Sequence, residues 1–98
     1  MKKGIDLIYN ERNEQIEKHG RTVQLDAEQN RHFQLSYAAR VLSVVDIVGV
    51  FEKPETCTPK GWDVEVWSKM FQKPIEERLI ISGALIAAEL DRIIYKNR

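Results

Sequence analysis

Ninety-eight residues fit one domain, and at that size the buried fraction is small and the stability margin thin, so association with a second copy is a plausible support. Apolar residues are 43% and charged residues 31% of the chain, a globular rather than a disordered profile. Fifteen basic and fifteen acidic side chains cancel, which leaves no global field to draw in nucleic acid or an anionic membrane.

The first predicted element is an amphipathic helix over about 4–18. Ile5, Ile8, Tyr9, Arg12 and Ile16 fall at helical spacing, and only Arg12 interrupts the apolar stripe. The start, Met1-Lys2-Lys3-Gly4, has no continuous apolar run behind its lysines, so no secretory leader is expected. His19-Gly20 reads as a stop, with Gly20 as a left-handed cap. Thr22 to Leu25 read as a short extended connection.

Asp26 followed by Gln29 has the spacing of a capping box and predicts a second helix from there. Leu35, Ala38, Ala39, Leu42 and Val45 form one apolar face. Phe33, Tyr37, Val41, Val44 and Val48 add another, as expected of a helix sandwiched between others. The helix is expected to reach Val48 and end at Gly49. Residues 50–62, punctuated by Pro54, Pro59 and Gly61, read as a long irregular loop. Asp63 is placed to cap a short helix to about Gln72, with Val66, Trp67, Met70 and Phe71 as its apolar side.

Lys73-Pro74 opens the last helix, which is expected to run to about Tyr95, with Glu76 and Glu77 at its positive end. Its apolar run, Leu79 to Ala88, is too short to cross a bilayer. The fold class expected is all-α, with residues 1–98 as a single helical domain. It is a small helical bundle of three main helices plus a short helix, with a long irregular loop before the short one. The protein is expected to be cytoplasmic, without membrane contact.

The residues that could carry function lie mainly on the first and last helices. Gly83 with Ala87, and Ala84 with Ala88, set small side chains one turn apart, so another backbone can approach closely. That stripe suits either packing within one chain or a seam between two copies. Glu89 is next to this apolar run, and burying it requires a partner such as Arg78 or Arg92. Arg12, Gln15, His32 and Arg92 are candidates for a polar cluster. Glu11, Glu28, His32 and Glu89 would form oxygen and nitrogen ligands for a divalent cation only if three helices aimed them at one point.

Trp62 and Trp67, with Lys60 and Lys69 nearby, are weighed as a base-stacking platform and read instead as packing anchors, so nucleic-acid binding is not expected. Cys57 is the only cysteine, which excludes an internal disulfide and a cysteine-based zinc site. No glycine-rich phosphate loop, HExxH or CxxC motif is present.

Glu11-Arg12 with Gln15-Ile16 and Gly20, then Leu35 with Ala38-Ala39, form a recognisable pattern. It continues through the tryptophan segment, Lys73-Pro74, and Gly83-Ala84-Leu85-Ile86 with Ala88-Glu89 and Arg92. In these positions the chain resembles a small protein family common in bacteriophages and prophages. The family usually has a pair of aspartates followed by a histidine where this chain reads Ala27-Glu28-Gln29-Asn30. It often has a lysine where this chain has Ser82. The resemblance implies a mobile-element origin and a helical fold, and no particular reaction.

A second likeness is to the MazG-type all-α nucleotide pyrophosphohydrolases, which hold magnesium through one Glu-x-x-Glu and one Glu-x-x-Asp pair. Glu11 and Glu14 match the first pair, whereas Glu89 is followed three residues on by Arg92. Two functional readings result. The first is a non-enzymatic protein that works through contacts with protein partners, as a homodimer through the last helix. The alternative is a hydrolase of nucleotides using Glu11, Glu14, Glu28 and Glu89, which alone would call for magnesium or manganese.

Overall fold

The computed structural model describes residues 3–19 and 23–96. Helix α1 spans Gly4–His19, α2 Val23–Gln29, α3 Gln34–Leu42 and α4 Ile47–Phe51. A turn of 3-10 helix follows at Pro54–Thr56, then α5 Val64–Phe71 and α6 Ile75–Lys96. No strand occurs among the described residues, and the all-α class expected from the periodicity is what is found. No helix is long and apolar enough to cross a membrane among them.

At 1.5 Å per residue, the 22 residues of α6 make a rod about 33 Å long, and α1, α2 and α3 all pack on it. The core forms where α3 meets α6. Leu35, Ala38, Val41 and Leu42 of α3 close against Ile81, Ala84, Leu85 and Ala88 of α6, with Trp67 and Phe71 of α5 filling one end. The α5 start is as expected: Asp63 accepts from the backbone N–H groups of Glu65 at 2.8 Å and Val66 at 3.0 Å.

The single second helix expected over 26–48 is divided into three. Helix α2 begins at Val23, so the extended connection expected up to Leu25 is helical instead, while Thr22 and the Gly20 cap lie outside the described residues. Asp26 is not an N-cap. It lies within α2, fully buried, accepting from Asn30 Nδ2 at 2.9 Å.

The break at 30–33 has a local cause. Gln34 donates to the carbonyls of Gln29 (3.2 Å) and Lys60 (3.3 Å) and accepts from His32 N–H (2.8 Å), so its side chain replaces helical hydrogen bonds. Phe33 turns the chain in the left-handed region at φ 63°, a conformation uncommon outside glycine.

The second break follows Leu42. Asp46 caps α4 by accepting from Gly49 N–H at 3.0 Å, so Gly49 lies inside a helix and does not terminate one. A Cβ there would overlap the Asp46 carboxylate, which makes glycine the residue that fits.

Residues 50–62 are better fastened than a free loop. Trp67 Nε1 donates to Pro54 O at 3.1 Å, and Trp62 Nε1 to Asn30 Oδ1 at 2.8 Å. The Thr58 hydroxyl adds a bond to Pro54 O at 3.0 Å.

The small-residue stripe of α6 is used within the chain. Ala84 and Ala88 are fully buried, Ala87 is half-buried, and a Cβ on Gly83 would come within 2.5 Å of Ile8 Cδ1 from α1. Gly83→Leu is therefore expected to destabilise the fold by about 1–3 kcal/mol through overpacking. Gly83→Ala should be near neutral, because displacing the Ile8 tip offsets a helix-propensity gain of about 1 kcal/mol. Thermal denaturation checks both, and an unchanged midpoint for Gly83→Leu would contradict the contact.

Candidate functional site

Two features stand apart from the apolar core: a buried polar seam and an open cleft. The seam begins where Arg12 interrupts the apolar stripe of α1. Its guanidinium is buried beside Asp26 of α2, at 3.9 Å, and Asp91 of α6, at 3.5 Å. A buried cation needs such partners, because desolvation is otherwise far costlier than any packing gain.

Two residues before Asp91 on α6, Glu89 is buried and both its oxygens are engaged. One accepts from Ser36 N–H (3.2 Å) and the Ser36 hydroxyl (2.8 Å), the other from Arg92 Nε at 2.5 Å. The partner that burial of Glu89 demands is thus Arg92 and not Arg78. Arg92 lies under the Phe33 ring, 4.7 Å from its centroid, in cation–π geometry. Its Nη2 is buried without a hydrogen-bond partner.

Arg78 serves elsewhere. Its guanidinium donates to four backbone carbonyls: Lys73 at 2.8 Å, Leu42 at 2.9 Å, Val44 at 2.6 Å and Val45 at 3.3 Å. It satisfies the carbonyl of Leu42, the last residue of α3, and those of Val44 and Val45 just beyond the helix. Nothing in local sequence pattern announces this, except that Arg78 falls in the buried register of α6.

The cleft, about 530 Å³, opens between α1, α5 and α6. Glu11, Glu14 and Gln15 come from α1 and Glu77 from α6, with Lys73 between α5 and α6. Val66 and Met70 of α5 and Ile80 and Ile81 of α6 form its apolar wall. Gln15 is only 3% exposed. Its Nε2 donates to Glu11 Oε2 at 3.3 Å, and its Oε1 has no partner.

The structure does not unite the residues weighed as metal ligands. Glu11 and Glu14 are on the cleft, Glu28 and His32 are exposed on and just after α2, and Glu89 is committed to Ser36 and Arg92. Among the described residues, no group of three or more His, Cys, Asp or Glu side chains is disposed to hold a metal ion. Of the polar cluster expected from Arg12, Gln15, His32 and Arg92, the first two and Arg92 are buried, whereas His32 lies outside on the surface.

Trp67 is 0% exposed and meets the half-buried Trp62 edge-on, ring centroids 5.9 Å apart, so Trp67 offers no face to a base and the two indoles do not form a paired stacking platform. Cys57 is buried, and desolvation raises its thiol pKa despite hydrogen bonds with Trp67 and Thr56 that lower it. That environment opposes thiolate formation and thus nucleophilic use. Neither a family model, nor a curated protein, nor a solved structure matches the chain.

Proposed function

We propose that this protein acts through protein contacts, as a homodimer whose seam is the outer ridge of α6. One observation carries the reading. Leu79, Ile86, Leu90 and Ile94 lie along one side of α6, and each remains about half exposed. Four large apolar side chains in register over the 16 residues from Leu79 to Ile94, about 22 Å of helix, are more than the scattered exposure usual on a monomer. Ile8 of α1 covers Gly83 in the same stripe, and its helix neighbours Ile5 and Tyr9 are exposed as well. The seam so drawn is the outer ridge, because the small residues behind it are occupied by α1 and α3.

The phage and prophage pattern fits this reading as a framework. Of the residues that carry the likeness, Arg12, Gln15, Leu35, Ala38, Ala39, Ala84, Leu85, Ala88, Glu89 and Arg92 are buried, whereas Lys73 and Pro74 are exposed and Ile86 is on the outer ridge itself. The buried ones hold α6 in place, and outside the Gly83 position taken by Ile8 its outer ridge stays exposed.

Light scattering and sedimentation test the proposal. Wild type is expected to be dimeric at micromolar concentration. Ile86→Glu or Leu90→Glu should weaken association at least about 100-fold, or some 2.7 kcal/mol, while leaving helicity intact. A wild type that stays monomeric at millimolar concentration would overturn the proposal.

A further inference from the structure

We propose that the cleft between α1, α5 and α6 is a binding site for a small organic cation with an apolar body, such as an alkylammonium. The inference is independent of the dimer, whose ridge uses other positions on α6. It begins with size: about 530 Å³ is within the range that encloses a small ligand.

Charge then selects the ligand's sign. Glu11, Glu14 and Glu77 contribute three carboxylates against the single ammonium of Lys73, so the mouth is net negative. The wall opposite is apolar, built from Val66, Met70, Ile80 and Ile81, and Val66 is nearly half exposed despite its place there. A hydrated inorganic ion has no use for such a wall, and the acidic groups are not disposed as metal ligands among the described residues. An alkyl or aryl body does have a use for it.

The third observation is Gln15, the most buried polar side chain lining the cleft. Its amide nitrogen donates to Glu11 Oε2, which fixes the orientation of the group, since the reverse would set oxygen against carboxylate. The carbonyl oxygen is left buried and unpartnered. A buried acceptor without a donor is costly, and a ligand N–H entering with a modest shift of the side chain would satisfy it. Apart from Lys73 and the Gln15 amide nitrogen, the charged and polar atoms around the cleft thus call for a ligand that donates hydrogen bonds and carries positive charge.

The test is titration of the full chain with n-hexylammonium, n-hexanol and n-hexanoate, followed by calorimetry and by NMR shifts. Hexylammonium is expected to bind saturably, at least tenfold more tightly than hexanol, with shifts centred on Val66, Met70 and Ile80. Hexanoate should not bind. Glu14→Gln and Glu77→Gln, both at exposed positions, should each weaken hexylammonium at least threefold without altering the circular dichroism spectrum. Three results would each overturn the inference: no saturable binding of the amine, equal binding of the alcohol, or affinity indifferent to both substitutions.

Discussion

Arg78→Met is expected to lower the free energy of unfolding by roughly 3–5 kcal/mol. The side chain is almost completely buried and donates to four backbone carbonyls, three of them in the segment that leaves α3. A hydrogen bond involving a charged group contributes about 1.5–3 kcal/mol, and a carbonyl left buried without a donor costs about 1–3 kcal/mol. Methionine fills much of the volume but supplies no donor, so the Leu42 and Val44 carbonyls must find water or break the turn. For a chain of this size the midpoint of thermal unfolding should fall by roughly 12 °C or more. Arg78→Lys should recover only part of the loss, because one ammonium cannot span carbonyls on both sides as a planar guanidinium does. Urea denaturation of the three proteins decides the matter; a loss below about 1 kcal/mol for Arg78→Met would show that Arg78 does not hold α3 to α6.

What could be read in advance follows from where the physical signal is local. Helix α1, the Asp63 cap and the span of α6 are set by periodicity, a capping side chain and a proline. These act within one or two turns and are visible in the residues themselves. The division of the expected second helix was not visible. Gln34 ends one helix and begins the next by bonding backbone at Gln29 and Lys60, and Arg78 takes the carbonyls of Leu42, Val44 and Val45 from 33 to 36 positions away. Long-range side-chain bonds outweigh helix propensity in such places.

Part of the buried seam is legible: Arg12 breaks an apolar stripe, and Glu89 lies against an apolar run. Arg78, Ile81, Leu85, Ala88 and Arg92 follow a three–four spacing, so two arginines occupy the buried register of α6. The cleft is different, because its walls come from three helices whose packing order no local pattern encodes.

Glu89→Ala should be about as damaging as the loss of Arg78, roughly 3–5 kcal/mol, for a different reason. Helix α3 starts at Gln34 behind Phe33, which has no side-chain oxygen with which to cap it. Glu89 supplies the cap from another helix: its carboxylate accepts from Ser36 N–H in the first turn, where the helix dipole also favours a negative charge. The same group neutralises Arg92, which is 2% exposed and already has one nitrogen without a partner. Alanine therefore removes the cap and strands a buried cation, and stranding one member of a buried pair is what makes such losses large. Glu89→Gln keeps an acceptor for Ser36 but not the counter-charge, so it should fall between wild type and alanine. The decisive comparison is with Glu89→Leu combined with Arg92→Leu. Removing both charges exchanges an ion pair for apolar packing, and the pair of substitutions should cost less than the sum of the two made singly, by at least about 1 kcal/mol. Denaturant titration of wild type, the single variants and the double variant gives that coupling directly. Strict additivity would mean that Glu89 and Arg92 stabilise the fold separately, and that the seam is not a cooperative unit.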